Sequence, residues 1–520
     1  MGKIKPPHIL IIGMDGATPN LILPWAREGR LPNIARLMSD GSYGELLSTI
    51  PPITPPAWTS FMTGVNPGKH GIFDFVDRVP GTYEFRYINA RMRRVPSMWQ
   101  YLSGLGLKVG ALNIPMTFPP EKVNGFMISG LDAPDEKMAT YPASLYDELF
   151  RDVGGFQLDI RNLGNMKTDE QRGLFLNEAL DVEEQRVKVL LYLQEKYACD
   201  VLMLVFNATD QVQHHFWHYM DPLHPKYDPI GAQRFGDAIL RVYAKIDELI
   251  GRLLEEIPPR DAVVLMSDHG AGPTSRYYLH TNFLLEHLGL LRFKKKSLFV
   301  DAVGGFEKFL KSNLSDGQKK FIAKFLSGVR ERIENYSQLG AIDWDHTKAF
   351  ATELTGIAPF IWINTGKDFP KGSVLFDKER MHIVETIKNA FLSLKDPEGN
   401  SDLGIEVFSK EEIFRGPYVS KAPDLIPAAW SDKGFNLKKA PSAPQNSPLL
   451  RMEDGPLAGD FGWSGTHKME GFFLISGEKA VSGRVLKNIK IIDVLPTVLT
   501  ILKLPIPQDV DGRVIKEVIK

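Results

Sequence analysis

Residues 8–16 read HILIIGMDG, an apolar run that ends on Asp15 and Gly16. A short run without polar interruption is typical of a strand that is buried on both faces of a parallel sheet. We therefore predict a strand at His8–Met14. Four similar runs follow, at Lys108–Ile114, Asp200–Phe206, Ala262–Met266 and Phe472–Ile475. Together these runs predict a central sheet whose strands are mostly parallel.

Segments of helical period alternate with these runs. Asp181–Lys196 and Phe235–Glu256 place apolar residues at helical spacing among charged ones. Ile491–Leu502 follows the last apolar run and fits a closing helix. The alternation favours a doubly wound α/β fold, in which helices cover both faces of the sheet.

The alternation breaks between Leu288 and Asp424, where the chain becomes lysine-rich and then mixed. Here we predict a helix in Phe306–Tyr336, an alternating strand in Ala358–Asn364 and a helix at Lys378–Leu394, with loops at 441–448 and 455–465 beyond them. We interpret the segment as an inserted cap domain. The predicted domains are residues 1–287 and 425–520 for the α/β core, and residues 288–424 for the cap.

Net charge, cysteine content and the length of the apolar runs limit the expected binding partners and cellular location. The 62 basic and 63 acidic residues give a net charge of -1, which does not favour a nucleic-acid polymer or an anionic membrane. Cys199 is the single cysteine, so the chain cannot form an internal disulfide. No stretch approaches the roughly 20 apolar residues of a membrane span, and the first apolar run is too short for a signal peptide. We therefore expect a cytoplasmic protein.

Five short stretches place Asp, His or Thr beside the end of a predicted strand, where ligands bind in open α/β sheets. Asp15 follows the first strand, and Thr54 lies between two pairs of prolines, 51–52 and 55–56. These prolines should hold Thr54 extended, with a helix beginning soon afterwards. A hydroxyl near a helix N-terminus and beside a metal ion can lose its proton and attack phosphorus. Taken alone, the two stretches also fit a turn aspartate and a capped helix start.

The other three stretches add carboxylates and imidazoles. Asp210 and His214 are four residues apart, so on a helix both face one side, at a spacing suited to one metal ion. Asp268 and His269 end another apolar run, and His467 precedes the last one. Taken alone, these patterns also fit a solvated helix face or a loop histidine.

The order of the five stretches is more informative than any one of them. The succession D-G, T-x-P, D-x-x-x-H, S-D-H-G and G-T-H before a strand resembles the alkaline phosphatase superfamily, especially its nucleotide pyrophosphatase/phosphodiesterase and cofactor-independent phosphoglycerate mutase branches. Asn66–Phe75 and Gly416–Ile426 are similar to stretches of a prokaryotic group of predicted phosphohydrolases or phosphomutases. The resemblance implies an alkaline-phosphatase-like three-layer α/β/α sandwich with an inserted cap, and hydrolysis of a phosphate ester.

The resemblance also implies a site for two divalent metal ions. One ion would be held by Asp210, His214 and His467, and the other by Asp15, Asp268 and His269. The Thr54 oxygen would take the open position of the second ion and become phosphorylated by a small phosphorylated substrate. Water bound to a metal ion would then release the phosphate from Thr54. Ligands rich in imidazole favour zinc, with manganese or iron as alternatives.

The chain departs from the phosphodiesterase pattern at one position. That branch has an asparagine, a donor to a phosphoryl oxygen, five residues after the His of H-G-I, and counted from His70 this position is Phe75. Candidate replacements are Lys69, Arg91 and Arg94, with Arg93 beside them. Guanidinium groups bind phosphate in a bidentate fashion, although the arginines also fit a solvated turn.

Several functions are compatible with these residues. The first is a phosphohydrolase acting on a monoester or a diester. The second is a phosphomutase, whose cap would retain the intermediate and exclude water. The third is a metal-stabilised binding module without activity. A sulfatase is disfavoured, because its C/S-x-P-x-R motif is replaced by Thr54 and, at the arginine position, by Trp58. The leaving group and the oligomeric state stay open.

Overall fold

The computed structural model describes residues 4–161, 166, 168–275, 277–294, 339–352, 358–396, 401–431, 436–437, 450–452 and 463–520. The strands are β1 Ile9–Met14, β2 Gly41–Leu47, β3 Val76–Arg78, β4 Phe85–Tyr87, β5 Val109–Ile114, β6 Gly125–Ser129, β7 Thr140–Tyr141, β8 Val201–Phe206, β9 Ala262–Met266, β10 Gly270–Pro273, β11 Tyr277–Leu279, β12 Ala349–Thr352, β13 Phe360–Ile363, β14 Val407–Ser409, β15 Leu425–Pro427, β16 Asn436–Leu437, β17 Leu450–Met452, β18 Gly465–Lys468, β19 Glu470–Ser476 and β20 Val485–Lys490. The α-helices are α1 Pro19–Arg27, α2 Pro32–Asp40, α3 Thr54–Thr63, α4 Pro67–His70, α5 Met98–Gly104, α6 Leu145–Val153, α7 Asp169–Tyr197, α8 Ala208–Met220, α9 Pro229–Phe235, α10 Ala238–Glu256, α11 Thr281–His287, α12 Asp377–Leu392, α13 Lys410–Ile413 and α14 Val494–Ile501.

The central sheet contains all five runs predicted as strands. Across the described ranges it has nine strands, in the order β20–β2–β19–β9–β1–β8–β5–β6–β7. Its middle, from β9 through β1, β8 and β5 to β6, is parallel throughout. The strand predicted from Phe472–Ile475 is β19, which runs antiparallel to both of its neighbours. The prediction of a mostly parallel sheet is confirmed.

The side chains of β1 alternate between two apolar layers. Ile9 and Ile11 belong to a cluster that contains residues of α3, α5 and α14. Leu10 and Ile12 belong to a second cluster, with residues of α2, α7 and α10. Burial of such a side chain contributes about 1.5–3 kcal/mol, which explains why the run has no polar residue. Helices therefore cover both faces of the sheet, and the predicted three-layer α/β/α sandwich is confirmed.

Two predicted core helices have different bounds in the structure. The helix expected at Asp181–Lys196 begins earlier, at Asp169, where Thr168 and Gln171 form a capping box. The helix expected at Phe235–Glu256 is wrong at its start, because α9 ends at Phe235 and α10 begins at Ala238. Within the part of the chain that the structure describes, none of the helices has the length and apolar character to span a bilayer.

A second, smaller sheet lies mostly in the segment predicted as a cap, and its strand β15 comes directly after the predicted bound at 424. Its four described strands are antiparallel, in the order β12–β13–β15–β14. Its hydrophobic cluster includes Ile387 and Phe391 of α12, and Phe85 of the β3–β4 hairpin joins it from the core. The strand and helix predicted at Ala358–Asn364 and Lys378–Leu394 are confirmed as β13 and α12.

Other predictions for this region stay untested. The segments 306–336 and 441–448, and most of 455–465, fall outside the described residues. The domain bounds at 288 and 424 therefore stay a prediction.

Candidate metal and phosphate site

The predicted site residues meet where the central strands end. Asp15 follows β1, Asp210 lies in the first turn of α8 just after β8, and Asp268 and His269 follow β9. These three strands are neighbours in the sheet. His467 reaches the same place from β18, which pairs with β10 so that His467 lies opposite Ala271, two residues after His269.

The first group contains Asp210, His214 and His467, whose ligand atoms all lie within 4.8 Å of one another. His214 Nε2 is 3.2 Å from Asp210 Oδ2 and 3.1 Å from His467 Nε2. His467 Nε2 is 3.5 Å from Asp210 Oδ1. The helix α8 therefore presents Asp210 and His214 on one side, as their spacing predicts.

The second group contains Asp15, Asp210 and His269, again with ligand atoms within 4.8 Å of one another. The sequence paired Asp15 and His269 with Asp268 instead. Asp268 Oδ1 accepts a hydrogen bond from the Gly16 N–H at 3.1 Å, and its Oδ2 lies 3.3 Å from His269 Nε2. Asp210 thus belongs to both groups, a central position that the chain order did not reveal.

Backbone carbonyls orient all three imidazoles in the same way. The Nδ1 atoms of His214, His467 and His269 lie 2.8–2.9 Å from the carbonyl oxygens of Gly465, Pro52 and Gly270. A carbonyl only accepts hydrogen bonds, so each Nδ1 carries the proton and each Nε2 offers a lone pair. Nε2 of all three rings faces the carboxylates.

Two carboxylate oxygens in the site have no hydrogen-bond partner. Asp210 Oδ1 and Asp268 Oδ2 are buried and accept no hydrogen bond. A buried oxygen without a partner costs about 1–3 kcal/mol, and more when it is charged. The site therefore brings together several hydrogen-bond acceptors without enough donors to satisfy them. Such a set of nitrogen and oxygen atoms fits the coordination of divalent cations.

Burial and repulsion keep extra protons on the site when no cation is bound. Burial, then Asp268 and Asp210, raise the pKa of Asp15 well above its ordinary value. Burial and Asp210 likewise raise the pKa of Asp268. Although burial opposes the change, Asp210 raises the pKa of His214, and the nearby imidazoles lower the pKa of Asp210. Burial and His269 lower the pKa of His467.

Thr54 is the first residue of helix α3 and lies beside the second group. Its Oγ1 is 3.4 Å from His269 Nε2, and the residue is 5% exposed. The helix was expected to begin soon after Thr54, and it begins at Thr54 itself. Pro55 and Pro56 occupy the first turn, where a missing N–H costs no hydrogen bond and the fixed φ suits a helix. The Thr54 hydroxyl is therefore held at the rigid N-terminus of helix α3.

Several supporting contacts were not predicted from the sequence. Trp58 Nε1 donates to Asp15 Oδ2 at 3.0 Å, and Thr209 Oγ1 donates to the Asp15 carbonyl at 2.6 Å. A Cβ on Gly13 would lie 2.6 Å from the Trp58 ring, so only glycine lets this indole pack on β1. Trp463 stacks on His214 with ring centroids 3.9 Å apart. Only the nearness of Trp58 to Thr54 in the chain hinted at these roles.

The predicted phosphate donors lie against other groups in the structure. Lys69 Nζ lies 2.5 Å from Asp511 Oδ1, and buried Arg93 pairs with Glu121. Arg91 and Arg94 line a separate cleft of about 550 Å³. Arg93 contacts Met62, which is about 12 Å along helix α3 from Thr54 at 1.5 Å per residue. Phe75, at the asparagine position, packs against the cap cluster.

We expect Arg91→Ala to leave the turnover of a small aryl phosphate diester nearly unchanged. The Arg91 side chain is exposed on a cleft whose neighbour Arg93 contacts the far end of α3, so its charge should be screened from the reacting phosphate. Steady-state kinetics should show kcat/KM within about twofold of the parent protein. A loss of tenfold or more would instead place Arg91 at the substrate.

Comparisons with known proteins bear on the family and the fold. The profile of the family described as type I phosphodiesterase/nucleotide pyrophosphatase matches residues 9–367. The structure is similar to that of human ectonucleotide pyrophosphatase/phosphodiesterase 5, with a TM-score of 0.52, 13% identity and 97% of each chain covered. It is also similar to an inactive threonine-to-alanine variant of the murine protein in complex with AMP, with a TM-score of 0.50, 13% identity and 96% of each chain covered. No curated protein sequence matches the chain.

Proposed function

The chain belongs to the type I phosphodiesterase/nucleotide pyrophosphatase family, and on this premise we propose that it is a two-metal phosphohydrolase that cleaves a phosphate ester through a phosphorylated Thr54. The observation that carries the proposal is the Thr54 hydroxyl, 3.4 Å from His269 Nε2 at the edge of the two ligand groups. An inactive threonine-to-alanine variant of the murine relative, in complex with AMP, lends support to a threonine nucleophile and a nucleotide-like substrate.

In the proposed reaction the ligand residues and Thr54 have different roles. Asp210, His214 and His467 would hold one cation, and Asp15 and His269, with Asp210 and Asp268, would hold the other. Two divalent cations supply charge stabilisation for the entering and leaving oxygens of an in-line displacement. The Thr54 hydroxyl would lose its proton to solvent as Oγ1 forms the new bond to phosphorus, and the ester oxygen would depart on the opposite side and take up a proton. Water would then cleave the Thr54 ester, which restores the hydroxyl and releases phosphate or a phosphate monoester.

A comparison of two chromogenic esters tests the proposal. We expect the zinc- or manganese-loaded protein to release p-nitrophenol from bis-p-nitrophenyl phosphate, from p-nitrophenyl phosphate, or from both, with the ratio identifying a diesterase or a monoesterase. Transfer of the phosphoryl group between hydroxyls without release of phosphate would instead identify a phosphomutase. Tight binding of metal and ester without turnover would identify a binding module.

The remaining parts of the proposal concern partners and location. We propose a small phosphorylated substrate rather than a nucleic-acid polymer or a membrane, in line with the near-zero net charge of -1. We also propose that the protein is cytoplasmic, since its one cysteine, Cys199, is a buried free thiol.

We expect metal binding to release protons. Burial raises the pKa of Asp15 and Asp268 in the metal-free protein, and Asp210 raises the pKa of His214 against the effect of burial. All three shifts leave more protons bound, and ligands must lose them to bind a cation. The apparent affinity for Zn²⁺ should therefore increase as the pH rises. Titration calorimetry in two buffers of different ionisation enthalpy measures the release, and equal heats in both buffers would contradict it.

A further inference from the structure

Two stretches singled out in the sequence, Asn66–Phe75 and Gly416–Ile426, take no part in the ligand groups, yet they touch each other. The Tyr418 N–H donates to the Gly68 carbonyl at 2.9 Å. Asn66 Oδ1 accepts from the Arg415 N–H at 3.0 Å as well as from the Gly68 N–H at 2.9 Å. The core loop, residues 66–71 with the short helix α4, and the cap segment 415–418 are therefore joined by two hydrogen bonds. One connects the two backbones, and the other connects a backbone N–H to the Asn66 side chain.

Glycines make this contact possible. A Cβ on Gly68 would lie 2.6 Å from the Arg415 carbonyl oxygen, and a Cβ on Gly416 would lie 2.7 Å from the Gly68 carbonyl oxygen. Gly416 also has a φ of 126°, a conformation that other residues rarely adopt. A side chain at either position would push the two loops apart.

The core loop is also fixed on its other side. The Asp511 N–H donates to the Gly64 carbonyl at 2.9 Å, directly after helix α3. The Asp511 carboxylate accepts from the Asn66 backbone N–H at 3.0 Å. The loop therefore lies between the C-terminal segment and the cap segment 415–418, and it cannot shift without breaking contacts to one of them.

His70 connects this loop to helix α3. His70 Nε2 and Ser60 Oγ are 3.0 Å apart, and neither residue is exposed to solvent. His70 Nδ1 accepts from the Ile72 N–H at 3.2 Å, so Nε2 carries the proton and donates to Ser60. Burial, then the charge of Arg93, lower the pKa of His70 to about 3, so the ring stays neutral at working pH.

We propose that His70 is a positioning residue for Thr54, and that its hydrogen bond to Ser60 transmits the contact between the cap segment 415–418 and the core loop to the nucleophile helix. All ten residues of α3 are buried, so the helix moves as a unit and a shift at Ser60 displaces Thr54 at its N-terminus. A displacement of about 1 Å at a reacting group can lower the rate on the order of 100-fold. The inference rests on the proposed role of Thr54.

Three variants at the histidine and the serine test the positioning role. We expect His70→Ala and Ser60→Ala to lower kcat by about 10–100-fold while KM and bound zinc change by less than about twofold. Because a Gln amide nitrogen can take the place of Nε2, His70→Gln should recover most of the lost kcat. A role in stability alone would lower the amount of folded protein and leave the kcat of each folded molecule unchanged.

A double-mutant cycle tests the transmission from the cap segment. Gly416→Ala should lower kcat by about 5–10-fold in the parent protein but by less than about twofold when His70→Ala is already present. Gly404→Ala is the matched control, because Gly404 also lies within residues 288–424 and has a positive φ of 60°, but its Cβ would meet no atom within 4 Å. Thermal unfolding of each variant establishes that it is folded.

The outcomes separate this inference from the proposed function. If Thr54→Ala is inactive, two results would overturn the inference. One is an unchanged kcat in His70→Ala, and the other is an equal effect of Gly416→Ala on kcat in the parent protein and in His70→Ala. Activity retained in Thr54→Ala would overturn the proposed function itself. If Gly416→Ala does not fold, Asn66→Ala takes its place in the cycle, because it removes the acceptor for the Arg415 N–H.

Discussion

Replacing Thr54 by alanine is expected to lower kcat by about 10³-fold or more, because the variant has no oxygen to attack phosphorus. The loss should occur without loss of metal, since the imidazoles and carboxylates of both ligand groups are unchanged and only the Thr54 oxygen is removed. Zinc content and thermal unfolding should therefore match the parent protein. Acid quenching during turnover should trap a phosphorylated peptide containing Thr54 in the parent protein and not in the variant.

Thr59 offers a matched control on the same helix. Its hydroxyl is also buried, at 1% exposure, and has no hydrogen-bond partner. Thr59→Ala removes the same atoms and leaves no partner unsatisfied, so we expect kcat within about twofold of the parent protein and little change in stability. If Thr54→Ala turned over substrate as fast as Thr59→Ala, the phospho-threonine mechanism would be ruled out.

The fold was predictable for most strands that are buried on both faces, although the short and largely buried β6 was missed. The run at β1 is apolar throughout because clusters cover it on either side, and such runs stand out in a sequence. β2 and β20 were missed because both are partly exposed, and only Leu486 and Ile489 are buried in β20. An edge strand with polar residues looks like a loop when its neighbours are unknown. The division between α9 and α10 was missed because the apolar spacing continues across it.

The sequence predicted which Asp and His side chains of the candidate site lie close together, but not that Asp210 lies within 4.8 Å of ligand atoms in both groups. The order of five stretches indicated which Asp and His side chains meet. It could not indicate that Asp210 lies between the two groups, because this depends on how far each side chain projects beyond its strand end. Arg93, one of the candidate phosphate donors, shows another limit of the sequence. Glu121, which comes 28 residues later in the chain, pairs with it in the fold.

The central position of Asp210 leads to the second large effect. We expect Asp210→Asn to lose both cations, whereas His214→Ala should lose only one, since His214 belongs to a single group. The amide keeps the size of the carboxylate but removes the negative charge that offsets two cations, and one of its two polar atoms becomes a donor. Its kcat should fall by about 10³-fold or more.

Metal analysis of the two variants, prepared under the same conditions, distinguishes a shared ligand from an ordinary one. Asp228→Asn is a suitable control, because this carboxylate only caps helix α9 by accepting from the Ile230 and Gly231 N–H groups, a role that an asparagine also fills. Excess Zn²⁺ should restore activity to His214→Ala more readily than to Asp210→Asn, because His214→Ala keeps one ligand group intact. If Asp210→Asn kept one firmly bound ion and His214→Ala kept none, the shared carboxylate would have to be assigned elsewhere. Asp268, with its unpartnered oxygen beside His269, would then be the residue to examine.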